Sequence, residues 1–198
     1  MSELAAHRAK AAEVARQLVT DAVPLAKTIS LDGQVTDALV DVAVVAGYGR
    51  AAIPRSGYGR HEIEGMAVVE DPPRLVGQLV LLARCLLALG LDRAKVLGMC
   101  TRAALDSIPQ QRLAVLRALT QAGQDAELSV SEIARQAGCT RQVARFALEE
   151  LECVGVTVGP EDDEDVRPVA TFTPRTWRLE GPNADRVRFV LEHRHTHW

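Results

Sequence analysis

Arg141, Gln142 and Arg145 open a segment whose apolar residues Ala144, Ala147, Leu148 and Leu151 fall at i, i+3, i+4 and i+7. That spacing predicts a helix with one buried stripe and puts the two arginines and the glutamine on its outward side. Arg pairs in a bidentate manner with guanine edges and Gln with adenine edges, so these side chains can read base sequence. Near a helix N-terminus they stand where recognition helices meet the major groove. Thr140 is placed to cap the helix and is grouped with them. The chemistry expected of this stretch is therefore contact with double-stranded DNA.

The elements around it must hold it in place. Ser129 and Glu132 have capping-box spacing, so a first helix is predicted to start there and to stop at Gly138. Pro109 marks the first turn of a preceding helix that reaches about Ala122. After Leu151 the chain is read as strands near 154–158 and 170–179, a β-hairpin wing around the loop 160–168. Arg135, Arg167, Arg175 and Arg178 lie near these elements, and Arg135, Arg175 and Arg178 join the DNA-contacting set. A final helix is expected from Asn183 to Glu192. Residues 106–198 are thus read as a winged helix-turn-helix domain.

At Thr140, Arg141, Ala144, Arg145, Ala147, Leu148, Leu151 and Gly155 the sequence resembles the GntR-like pattern of bacterial winged-helix regulators. The resemblance covers about thirty residues and implies DNA binding. A capped apolar helix before a hairpin also occurs in winged helices that bind only protein.

Residues 1–105 read as a helical domain, lid-like or dimerising. Helices are expected over 3–22, ahead of Pro24, over 31–46 with Val35, Leu39, Val42 and Val45 inward, over 74–89 after Asp71-Pro72-Pro73, and from Asp92 to Leu105. Between them Gly-Tyr-Gly-Arg occurs at 47–50 and again at 57–60, which reads as a cationic loop. Residues 61–69 are left either as a β-segment or as a surface run. The fold class expected is mainly α with a small β-hairpin wing.

The first helix, the stretch Arg55 to Glu64 and the run from Glu70 to Pro109 are similar to the C-terminal, lid-like part of P-loop ATPases carried by actinobacterial phages and mobile elements. That resemblance implies that Arg50, Arg55, Arg60 and Arg74 sense phosphate across an interface, where the Arg fork suits the anion. The alternative is a solvated loop, or pairing with Glu62, Glu64, Glu70 and Asp71. The sequence departs from these ATPases in having no G-x-x-x-x-G-K-[ST] loop, without which nucleotide hydrolysis by this chain is not expected.

Charge restrains the DNA reading. Residues 106–198 hold 11 arginines, no lysine and 15 acids, a net of −4, while residues 1–105 carry 12 cations against 11 acids. DNA affinity then has to come from cations focused on one face. The acids at 161–165 should point away from DNA or mask the site. No catalytic constellation is present, and neither a cofactor nor a metal is expected; His193, His195 and His197 read as a solvated tail. The four cysteines form no C-x-x-C pair and read as buried, reduced thiols. A charged N-terminus and the absence of a long apolar run predict no membrane contact and a cytoplasmic protein.

Taken together these features predict a DNA-binding homodimer acting in transcription or in mobile-element maintenance, whose two recognition helices address a pseudo-palindrome. The alternatives are the lid and winged-helix part of an ATPase, with the ATPase core as partner, or a protein-binding scaffold.

Overall fold

Asp32 accepts a hydrogen bond from the Val35 amide at 2.9 Å and so starts α2 (Gly33–Arg50). Val35, Leu39, Val42 and Val45 all face inward on it, as their spacing requires. The helix does not stop at Ala46. It runs on through Gly47-Tyr48-Gly49-Arg50, the stretch read above as a loop. These glycines do not make a turn; Gly49 lets the helix approach Ile108, for a β-carbon there would sit 2.7 Å from Ile108 Cδ1 and 2.9 Å from its Cγ1 and Cγ2. Close packing outweighs the helix penalty of glycine, about 1 kcal/mol. Gly49→Ala is accordingly expected to destabilise the protein by about 1–3 kcal/mol through overpacking, read as a shift in the urea midpoint. An unchanged or raised midpoint would show that Ile108 yields freely.

The computed structural model describes residues 3–57, 62–124, 126–159, 176–181 and 183–192. Among them eight helices and a small three-stranded antiparallel sheet are formed, so the protein is mainly helical. Helix α1 (Glu3–Ala26) continues past Pro24, where the sequence suggested an end at 22. Pro24 lacks the amide that would bond the Thr20 carbonyl, but only Leu25 and Ala26 of the helix remain after it, so the lost bond does not break the helix. Asp71 and the prolines begin α3 (Pro72–Ala88), and Asp92, accepting from the Lys95 amide at 2.9 Å, begins α4 (Arg93–Leu105). Between α2 and α3 the chain doubles back. Ala52 bridges Val68 and Arg55 bridges Ile63, both antiparallel, so 62–68 pairs with the segment after α2.

Helix α5 (Gln110–Ala122) packs against α6 (Val130–Ala137) and α7 (Arg141–Glu152). Between α5 and α6 lies β1 (Leu128–Ser129), after α7 come β2 (Thr157–Val158) and β3 (Thr176–Leu179), and α8 (Ala184–Glu192) follows. Strand β3 is central, pairing Thr157 with Leu179 on one side and Leu128 with Trp177 on the other. Strand β1 has no signature of its own in the sequence. Two residues become a strand there only because β3 offers an open edge.

One apolar core extends from Val35 to Leu191, across the boundary expected at 105. Leu105, Leu116, Ile133, Leu148, Leu151 and Val187 are among its fully buried side chains. Helix α8 touches both α2 and α5, and Arg186 Nε lies 2.7 Å from Asp41 Oδ1 on α2.

Candidate nucleic-acid interface

The approach to α7 is built by local chemistry. The Ser129 hydroxyl accepts from the Glu132 amide at 3.3 Å while the Glu132 carboxylate accepts from the Ser129 amide at 2.9 Å, a reciprocal capping box. Hydrogen bonds donated by the Ser129 hydroxyl, at 2.7 Å, and by its amide hold the Glu132 carboxyl below the usual range. Gly138 then takes the left-handed conformation, φ 66°, that ends α6. Two residues later Thr140 Oγ1 accepts from the Val143 amide at 3.3 Å and α7 begins. Ala144, Ala147, Leu148 and Leu151 are buried, as expected, and so Arg141, Gln142 and Arg145 are exposed. Arg141 and Gln142 make no ion pair or side-chain hydrogen bond among the described residues. Arg135, in the last turn of α6, is exposed as well.

Arg145 is differently placed. Its Nε lies 3.3 Å from Glu149 Oε1, and its guanidinium stands 5.4 Å from the Phe146 ring centre. Glu149 is in turn held by Arg55, which reaches α7 from the bridged segment after α2. Arg55 Nη1 donates to Glu149 Oε2 at 3.0 Å, its Nε to Glu150 Oε1 at 2.9 Å, its Nη2 to the Phe146 carbonyl at 2.9 Å, and its guanidinium covers the Phe146 ring at 4.6 Å. Burial opposes its charge, but the hydrogen bonds to Glu150 and Glu149 outweigh burial and raise its pKa above the ordinary value. Arg112 on α5 completes the network. Its Nε donates to Glu150 Oε2 at 2.7 Å and its Nη1 to the carbonyls of Gly49 and Ala51 at 3.1 and 2.6 Å. A cation there meets the negative end of the α2 dipole. Alternating charges therefore run from Arg145 through Glu149, Arg55 and Glu150 to Arg112, tying α7 to α5 and to the end of α2.

Several assignments change in this light. With all three guanidinium nitrogens of Arg55 donating within the chain and its side chain only 14% exposed, no fork faces outward to a phosphate. Arg50 pairs with Glu70 at 2.9 Å, the alternative partner that the sequence offered, while Arg74 is exposed in the first turn of α3. Arg178 lies on β3 between Glu127 at 2.8 Å and Glu180, two carboxylates that raise its pKa and leave it poorly placed to neutralise phosphate. Arg60, Arg167, Arg175, the acids 161–165 and His193, His195 and His197 lie outside the described residues. Glu150 and Arg112 were not singled out in the sequence. Neither has a motif, because their roles arise between helices far apart in the chain.

The cysteines are free; Cys100 is buried, and burial pushes its thiol up to about 11, whereas Cys153 at the end of α7 is exposed, contrary to the expectation that all four are buried. Among the described residues no cluster of His, Cys, Asp or Glu is placed to hold a metal ion, and no helix is long and apolar enough to cross a membrane. No protein family, curated protein or solved structure matches this chain.

Proposed function

We propose that the chain is a winged-helix DNA-binding protein that reads base edges with the first turns of α7. The observation that carries this reading is the state of Arg141 and Gln142: both project from a capped helix N-terminus, exposed and unpaired among the described residues, next to the exposed Arg135 and Arg145. A bidentate Arg donor in that position suits the two acceptors of a guanine edge, and a Gln amide, donating to N7 and accepting from the N6 amino group, suits an adenine edge. Arg55 lies over the middle of the same outer face, at Phe146 and Glu149, so contact with bases is confined to residues 140–145 and the remaining cations serve phosphate. Glu149 draws on Arg145 from within the protein, and DNA must compete with it.

The test starts by selecting bound duplexes from a random pool with the purified chain. On the selected site Arg141→Ala is expected to cost about 1–3 kcal/mol in binding, with a much smaller loss on random duplex, measured by fluorescence anisotropy at fixed salt. Failure to enrich any sequence, together with unchanged affinity in the variant, would overturn the proposal.

A further inference from the structure

Arg141, Arg145 and Glu149 follow one another at four-residue spacing along the outer face of α7, so the second arginine meets an acid of its own helix. The Glu149 carboxylate is shared. Its Oε2 accepts from Arg55 Nη1 at 3.0 Å and its Oε1 lies 3.3 Å from Arg145 Nε, while the two guanidinium groups stand 4.6 and 5.4 Å from the Phe146 ring centre. The two cations are held unequally. Arg55 is 14% exposed and donates to Glu150 and to the Phe146 carbonyl as well, so pulling it away would strand buried charge. Arg145 is 52% exposed and donates no hydrogen bond among the described residues. An exposed pair of that kind contributes little and is readily exchanged.

We propose that Glu149 stands in for a DNA phosphate on Arg145, and that Arg55 is the positioning residue that lets the one replace the other. Carboxylate and phosphate oxygens both accept from guanidinium, so Arg145 turns from the acid to the backbone as a duplex comes up to α7. That exchange leaves Glu149 close to the DNA, where an unpaired carboxylate would repel phosphate. Arg55 prevents the repulsion because it keeps its bond to Glu149 Oε2 whichever anion Arg145 holds. Arg145 therefore adds affinity for any duplex, whereas Arg141 and Gln142 supply the choice of site. The inference rests on α7 meeting DNA, and its test is chosen to fail separately from that reading.

Anisotropy titration of a random-sequence duplex with the full chain, at several salt concentrations, is the experiment. Arg145→Ala is expected to weaken binding and to reduce the slope of log affinity against log salt by about one, as the loss of a phosphate contact does. Glu149→Gln removes the competing charge and should bind about two- to fivefold more tightly. In the Arg145→Ala background that gain should vanish, a double-mutant cycle that stands even if Arg55→Ala fails to fold. Arg55→Ala should bind about fivefold more weakly, and adding Glu149→Gln should restore the affinity, which it could not do if Arg55 only braced the fold. A wild type that binds no duplex would overturn the DNA reading and this inference with it. Duplex binding in which Glu149→Gln brings no gain, or an equal gain without Arg145, would overturn this inference alone.

Discussion

Glu150→Ala is expected to destabilise the protein by about 3 kcal/mol or more, the largest effect of any single polar change. Glu150 is 17% exposed and receives Arg55 at 2.9 Å and Arg112 at 2.7 Å, themselves 14% and 12% exposed. Removing one member of a mostly buried ion network strands the opposite charges, which costs far more than an exposed pair is worth. Arg112 would keep the carbonyls of Gly49 and Ala51, and Arg55 would keep Glu149 and the Phe146 carbonyl, so part of the network survives. Urea unfolding measures the loss. The double variant with Arg55→Ala should lose less than the sum of the two single changes, because the two residues share one interaction. Additive losses, or a loss near zero for Glu150→Ala, would mean that the network does not tie α7 to the first half of the chain. The same variant reports on DNA reading, since Glu149 and Arg145 lie on the other side of Arg55 in the chain of charges.

Leu105→Ala should cost about 2–5 kcal/mol, the range for a leucine emptied from a packed core. Leu105 is fully buried at the end of α4, where the sequence suggested a boundary between two domains. Its neighbours in the core extend from α2 to α8. Because that core is continuous, helix content and the fluorescence of Trp177, buried on β3 and made the sole tryptophan by Trp198→Phe, are expected to fall in one coincident transition that the substitution shifts as a whole. Two transitions, with the Trp177 signal unmoved, would show that residues on the two sides of 105 unfold independently. Ala104→Gly, beside it, tests helix propensity without emptying comparable volume and should cost about 1 kcal/mol from propensity alone.

Local signals account for the elements at the candidate interface. Ser129 and Glu132, Gly138 and Thr140 act within three or four residues of themselves, and each appears where its spacing placed it. The inward stripes of α2 and α7 were equally legible, because a 3.6-residue period assigns a face without reference to the rest of the fold. The same holds for Arg141 and Gln142, which are exposed because their neighbours at helical spacing are buried. Long-range packing decided everything that local preference got wrong. The glycines at 47 and 49 read as a loop until Ile108, some sixty residues on, supplies the reason for having no side chain at 49. Pro24 reads as a helix end, and Leu128 and Ser129 carry no strand pattern before β3 pairs with them. The likeness of the stretch Arg55 to Glu64 to an ATPase lid points Arg55 at phosphate, whereas its partners, Glu149 and Glu150, are more than ninety residues away. A residue's face is set by its own helix and could be read from the chain; what meets that face is set by how the helices come together, and no spacing in the sequence encodes it.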